Sequence, residues 1–354
     1  MRIFVSEYTS SGAMSDRPLP ASLLCEGRSM LTAVVGDLLA IPNCHVSITL
    51  DQRLDAVLDL SASDSLLVQR IGETNTEQVA FEQLVSNTDA TLVIAPETDG
   101  ILGQRVQRVA DLGGCSLNCL PAAIAICGDK LRLADHLSNQ GIATIPTSMA
   151  NLRGAELWNH FETGCVLKPR DGAGSWLTFG IPYGDSTAWE NAVGSFVTAR
   201  AEHRALLQPW IAGHALSVGC LCDDAGSISV FPVAHQHLSG VNFQYRGGTI
   251  PAALSAGIVA TIEQVVWSAC ESVAGLRGYI GIDLLLPDAD PKSPLIVEIN
   301  PRITTSYVGY RQLCFDNIGM RMLHATGLMS TDASGLLKWK PGSVSFAADG
   351  QIAG

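Results

Sequence analysis

Short apolar runs at residues 2–5, 46–50, 56–60 and 90–95 alternate with segments at 29–39 and 77–85 whose apolar positions recur every three or four residues. The runs predict strands and the segments predict amphipathic helices, so the first 120 residues read as a layered βα domain. Residues 121–140 predict one helix with Ile124, Leu131, Leu133, Ala134 and Leu137 on its apolar side, closed by Gly141. Lys130 sits within it, near a Gly128-Asp129 break. A strand at 165–168, a glycine-rich stretch at 171–175 and an apolar run ending at Phe179 predict strand, loop, strand. Strands at 206–211 and 216–221 flank Ala212-Gly213, a loop spans 237–251, and a long helix spans 253–275. The last dozen residues, rich in Ala, Gly and Ser, predict a loose tail.

The most informative pattern is a pair of strand-like segments, 279–286 and 295–300, joined by PDADPKSP, whose prolines and aspartates turn the chain. If Leu286 pairs with Leu295, residue 284 faces 297, 283 faces 298, 282 faces 299 and 281 faces 300. One face then carries Ile282, Leu284, Leu286, Leu295, Val297 and Ile299; the other carries Gly281, Asp283, Glu298 and Asn300. Carboxylates directly opposite on paired strands have Cβ atoms about 5 Å apart and repel one another. A hard divalent cation relieves that repulsion, and an all-oxygen set of Asp283, Glu298 and Asn300 suits Mg²⁺, with phosphate oxygens and water completing its shell. The bland alternative is that these acids face solvent or pair with Arg277 and Arg302. After the hairpin, Arg302 offers two parallel donors to a phosphate or acyl phosphate. Thr304, Thr305 and Ser306 then either touch phosphate or substrate or cap a helix.

Composition narrows the function classes. The chain has 354 residues, enough for two or three packed units, and is 47% hydrophobic and only 16% charged, which excludes disorder and a charged coiled coil. A net charge of -12 argues against nucleic acid or an anionic membrane as the main partner. No run approaches the ~18–20 apolar residues of a membrane span, and the N-terminus shows a strand-like run in place of a leader, so a cytoplasmic location is expected. The ten cysteines form no CxxC pair and are expected to be mostly small buried apolar residues. His235 and His237 alternate on one strand face as a polar pair, not as a zinc motif. Neither GxGxxG nor GxxxxGK[ST] occurs. Only five of the 22 basic residues are lysines, and of these Lys130 and Lys168 alone fall in the ordered middle of the chain.

Over residues 120–311 these features, taken in order, resemble the ATP-grasp superfamily: Lys130 in a DK pair, Lys168 at a strand end, the DGAGS loop at 171–175, the QPWI strand at 208–211, Asp283, then EINPR at 298–302. The resemblance implies an α/β (α+β) ATP-grasp fold with an N-terminal βα pre-ATP-grasp domain at 1–120. It places a small subdomain at 121–205 and a large one with the metal hairpin at 206–340, leaving 341–354 as the tail. It implies that Lys130 and Lys168 hold ATP phosphates beneath Gly172, Ala173, Gly174 and Ser175, and that backbone groups near Gln208, Trp210 and Ile211 read adenine. Two departures bear on adenine and ribose: Gln208 stands where the family often has Glu, and Ala215 where it often has an acid, with His214 as a substitute. EYTSSG at 7–12, LLCEGRSML at 23–31 and EINPRITTSYVGYR at 298–311 are similar to the branch containing tyramine-glutamate ligase of methanofuran biosynthesis and related one-carbon cofactor ligases.

The implied activity is ligation. A carboxylate, glutamate or another amino acid, is phosphorylated by ATP to an acyl phosphate, and an amine displaces phosphate to give an amide, with ADP and phosphate released. Two divalent ions, Mg²⁺ or Mn²⁺, are implied at Asp283, Glu298 and Asn300, with Glu298 bridging; Arg302 and Lys168 would act on the transferring group. Glu7, Ser10, Glu26 and Arg246 are candidate substrate contacts for which a loop cap or surface role is the favoured alternative, and Thr305 and Ser306 are candidates whose alternative is a helix N-cap. The implied partners are a small carboxylate and an amine, and the resemblance leaves room for a homodimer. The alternatives are an ATP-grasp kinase with a stable phosphorylated product and a non-catalytic ATP-binding module.

Overall fold

The computed structural model describes residues 1–54, 63–153, 161–329 and 336–353. Five of the six residues of strand β1 (Arg2–Glu7) are buried, the mark of a parallel strand covered on both faces. Helix α1 (Ala21–Leu39), strands β2 (His45–Asp51) and β3 (Leu66–Ile71), helix α2 (Thr74–Asn87), strand β4 (Ala90–Ile94) and helix α3 (Ile101–Asp111) follow. The sheet order is β3-β2-β1-β4, all parallel. Alternation sorts its side chains: Ile3, Val5, Leu92 and Ile94 pack with Leu31, Val34 and Leu38 of α1, while Phe4 and Val93 pack with Phe81, Leu102 and Val106 of α2 and α3. The strand expected at 56–60 lies outside the described residues.

The helix expected over 121–140 is two helices, α4 (Pro121–Cys127) and α5 (Lys130–Asn139). Asp129 divides them: its backbone is extended and its carboxylate accepts the Arg132 N–H, so it serves α5 as an N-cap instead of continuing α4. Lys130 thereby becomes the first residue of α5.

Strands β5 (Ser148–Met149), β6 (Gly164–Pro169) and β7 (Phe179–Pro182), helix α6 (Ser186–Thr198) and strand β8 (Ala205–Pro209) form a small antiparallel layer in the order β5-β8-β6-β7. Its own core contains Cys165, Leu167, Ile181, Trp189, Phe196 and Leu207.

The remaining elements are β9 (Gly213–Cys222), β10 (Ile228–Val230), β11 (Ala234–Ser239), β12 (Gln244–Ile250), α7 (Ala256–Ser272), β13 (Gly278–Pro287), β14 (Leu295–Asn300), α8 (Tyr307–Leu313), α9 (Ile318–Ala325), β15 (Val344–Ala347) and β16 (Ile352–Ala353). Their antiparallel sheet runs β14-β13-β9-β11-β12-β15-β16, with β10 paired to β9. Two expectations fail here. The loop at 237–251 is mostly the β11–β12 hairpin, and the supposedly loose tail is the sheet's edge. Gly247 explains the second: at φ 127 it lies so close to the Phe346 carbonyl that any Cβ would collide with it, so β15 can seat on β12 and bury Phe346.

Eight of the ten cysteines are buried and all ten are free; Cys25 and Cys115 are exposed. Among the described residues no helix is long and apolar enough to cross a membrane.

Candidate active site

The hairpin β13–β14 keeps three of the expected pairs: Gly281 opposite Asn300, Ile282 opposite Ile299 and Asp283 opposite Glu298. Beyond Asp283 a bulge changes the register, so Leu284 faces Ile296 instead of Val297. Ile296 takes the core position and Val297 turns to the cavity, together with Glu298. The bulge thus gives Glu298 its aim without breaking the apolar face behind it.

The two carboxylates converge with Asn300, whose Nδ2 donates to Asp283 Oδ2 (3.1 Å) and Glu298 Oε1 (3.4 Å). Gln236 on β11 donates from Nε2 to Asp283 Oδ1 at 2.8 Å. Lys130 Nζ lies 2.8 Å from Glu298 Oε2 and also donates to the Gly172 carbonyl. Lys168, at the end of β6, is buried but has no carboxylate in ion-pair contact among the described residues. Burial, then Lys130, push its ammonium down to about 8. Burial and the facing Glu298 raise Asp283 well above the usual carboxylate range, whereas Glu298, despite its burial, is held low by Lys130 and Lys168. The site therefore carries one ionised acid and one that resists ionisation, a donor set that a hard divalent cation completes. Among the described residues no three His, Cys, Asp or Glu side chains are grouped to hold a metal ion. Two carboxylates and one amide here leave the rest of any coordination shell to other oxygens.

These side chains line a cavity of about 840 Å³ walled by all three layers. Residues 172–176 form its roof, and positive φ at Gly172, Gly174 and Ser175 bends the loop over it. The tip of the β11–β12 hairpin holds the roof in place: Ser175 Oγ donates to the Phe243 carbonyl and Gly180 N–H to the Val241 carbonyl. A family profile described as an ATP-grasp domain matches residues 127–306, the span that contains every one of these contacts.

The chain belongs to the ATP-grasp domain family. A pre ATP-grasp 3 domain profile matches residues 44–124. This ATP-grasp chain resembles the tyramine–L-glutamate ligase of Methanocaldococcus fervens, 23% identical over 313 residues, covering 87% of this chain and 89% of the relative. The enzyme of the same name from Methanocaldococcus jannaschii is 23% identical over 311 residues, 87% and 84% of the two chains. An ATP-grasp superfamily protein from Archaeoglobus fulgidus superposes with a TM-score of 0.71 at 21% identity, covering 98% of this chain and 92% of its own. Biotin carboxylase from Campylobacter jejuni also gives 0.71, at 15% identity and 97% and 74% coverage. At these identities the structural likeness is one of fold, here the ATP-grasp fold.

The ATP-grasp cavity sorts the candidate residues. Gly172, Ala173, Gly174, Ser175, Gln208, Trp210 and Ile211 all line it. The Gln208 amide is turned to Thr147 Oγ1 at 2.7 Å, and the Trp210 N–H is used on the Gly164 carbonyl. Thr305 and Ser306 line the cavity too; Ser306 occupies the N-cap of α8 but makes no side-chain cap, sharing a hydrogen bond with Ser217 Oγ instead. Glu7 and Glu26 line the wall contributed by the N-terminal layer. Two candidates fall away. Ser10 is buried with its hydroxyl on Glu7, and Arg246 is exposed on β12 with its Nε on Ser239 Oγ, because its segment is a strand and not a mobile loop; neither lines the cavity. His214 lines the cavity mouth, 3.7 Å from Asp288.

Two functional partners escaped the sequence reading. Arg302 is gripped by Glu97, Nε to Oε1 at 2.8 Å and Nη2 to Oε2 at 3.1 Å, with the Glu97 side chain buried and that of Arg302 11% exposed. Glu97 follows β4 in Ala95-Pro96-Glu97, beyond the carboxyl end of a parallel strand, where such sheets place their ligand groups. Gln236 stands between His235 and His237, whose alternation already implied that it points the other way.

Proposed function

We propose that the chain is an ATP-dependent carboxylate–amine ligase. It would convert a carboxylate into an acyl phosphate and join it to an amine, releasing ADP and phosphate. The observation that carries this reading is the juxtaposition of Asp283, Glu298 and Asn300 with Lys130 and Lys168 under the 172–176 loop, with Arg302 on the side of the N-terminal layer. Cations and an oxygen donor set around one closed space suit a transferring phosphoryl group, whose catalysis is mostly positioning and charge neutralisation.

In this reading Lys130 and Lys168 hold the ATP phosphates and the glycine loop covers them with backbone N–H groups. Adenine would lie along residues 208–211, where the Ile211 backbone is left to meet its edge because the Trp210 N–H is already used. Asp283, Glu298 and Asn300 would bind Mg²⁺ or Mn²⁺, which when bound neutralises phosphate charge. Arg302, held flat by Glu97, faces the transferred phosphate. A substrate carboxylate oxygen attacks the γ-phosphorus and ADP leaves; the amine nitrogen then attacks the acyl carbon and phosphate leaves with the C–O bonding pair. Thr305, Ser306, Glu7 and Glu26 surround the space left for acid and amine.

The names of the curated relatives make L-glutamate and tyramine the first probes. ADP release should require an acid and an amine together, and the product mass should equal their sum less water. ADP release with an acid or alcohol alone, leaving a stable phosphorylated product, would replace this reading with a kinase.

A further inference from the structure

Helix α1 presents Leu23, Glu26, Gly27 and Met30 to the cavity, an i, i+3, i+4, i+7 stripe whose one charged member is Glu26. Gly27 belongs to that stripe because a Cβ there would lie 2.5 Å from Glu7 Oε1, so the helix can approach β1 closely only with glycine at this position. Glu26 reaches the underside of the roof, where its Oε1 is 3.9 Å from the place a Cβ on Gly174 would take. Among the described residues its side chain accepts one hydrogen bond, from Ser22 Oγ at 3.1 Å, and forms no ion pair. The cation whose field reaches it is Arg302; burial holds its carboxyl above the usual range.

The other carboxylates of the cavity are committed elsewhere, and its further imidazoles, His235 and His237, form a row of rings with His214, centroids 6.1 and 5.4 Å apart. Glu7 is wrapped by the Thr9 and Ser10 N–H groups and the Ser10 hydroxyl. Asp283 and Glu298 are tied to Gln236, Asn300 and Lys130. Lys168 and Lys130 face the phosphates in that reading, His214 sits at the mouth with Asp288, and burial pushes the Tyr245 phenol well above its usual range, so it keeps its proton. A protonated amine cannot attack an acyl phosphate until it loses a proton, so a ligase of this kind needs an acceptor on the side from which the amine enters.

Resting on the ligase reading above, we propose that Glu26 binds the ammonium of the amine substrate and takes the proton it loses before attack. In balance, R–NH₃⁺ gives one proton to Glu26; the freed lone pair forms the C–N bond; the C–O bond to phosphate breaks with its electron pair; and the second proton leaves with the phosphate. Leu23, Met30 and Pro96 line the same cavity as apolar wall, which lowers the local polarity and strengthens the ammonium–carboxylate attraction. The amines selected are primary ammonium ions with an apolar body.

The test compares two nucleophiles in the wild type and Glu26→Gln. Hydroxylamine is already unprotonated at neutral pH and traps an acyl phosphate as a hydroxamate without a base; tyramine and the standard amino acids, offered as amines, are protonated. The standard amino acids are offered in turn as the acid. The variant is expected to keep wild-type hydroxamate formation, which also shows that it folds and activates the acid, and to lose about 100-fold or more in turnover with the protonated amine. Equal losses with both nucleophiles, or no loss with the amine, overturn the assignment, as does a wild type that uses hydroxylamine but none of the protonated amines. A wild type that forms no hydroxamate from any of these acids overturns the ligase reading itself, and the Glu26 role with it.

Discussion

Lys130 Nζ lies 2.8 Å from Glu298 Oε2, joining the first residue of α5 to the second strand of the hairpin. Each partner is the other's counter-charge. Lys130→Met is expected to lower stability by roughly 2 kcal/mol, on the lower side of what orphaning a buried ion costs because Glu298 keeps 23% of its side chain exposed. Calorimetric melting should show the loss and its partial recovery with MgCl₂; no recovery would speak against a cation beside Glu298.

Lys168 behaves oppositely. Burial and Lys130 depress its ammonium to about 8, so keeping it charged costs the folded state stability at neutral pH, and that cost fades as pH rises through the folded value. Lys168→Met should therefore leave the melting temperature at neutral pH unchanged or raised while ADP release falls by about 100-fold or more. A collapse of the melting transition would mark a structural lysine.

Asp283 sets a pH dependence. Burial and Glu298 raise its folded value, so without a cation the native protein retains a proton that the unfolded chain gives up, and stability falls as pH rises above the ordinary aspartate value. Cation binding expels that proton. The rise in melting temperature caused by Mg²⁺ should therefore be larger in mildly alkaline than in mildly acidic buffer, and a pH-independent rise would count against Asp283 as a ligand.

Glu97 fixes Arg302 through two parallel hydrogen bonds from a separate layer of the molecule. Glu97→Gln keeps the shape but removes the charge and one acceptor. Acid-dependent turnover should drop by about 10-fold or more while ATP binding, read by calorimetric titration, holds. Equal weakening of both would mean that Glu97 serves the fold and not the guanidinium's aim.

Phe346 is buried at the sheet edge against Gly309 and Ile250. Phe346→Ala should cost about 3 kcal/mol in denaturant unfolding, and removal of residues 341–354 should cost at least as much, neither of which a loose tail allows.

Sequence alone determined the features that depend on local periodicity. Asp283 and Glu298 stand opposite each other because alternation along two short strands and a turn of fixed length leave little choice of register near Asn300. Lys130 and Lys168 stood out because a chain with far fewer lysines than arginines keeps lysine only there in its ordered middle. The glycine loop and the family resemblance were equally local. Tertiary structure decided what joins across layers. The bulge that turns Val297 outward, the grip of Glu97 on Arg302, the amide of Gln236 on Asp283, and the approach of α1 that brings Glu26 beneath Gly174 all depend on how separate sheets and helices pack. So does the edge formed by β15 and β16, strands too short to carry a pattern of their own until Gly247 gives β15 a place to dock. Periodicity specifies which face a side chain takes within its own element; the partner across a gap is specified by the packing of whole layers, and no single segment carries that information.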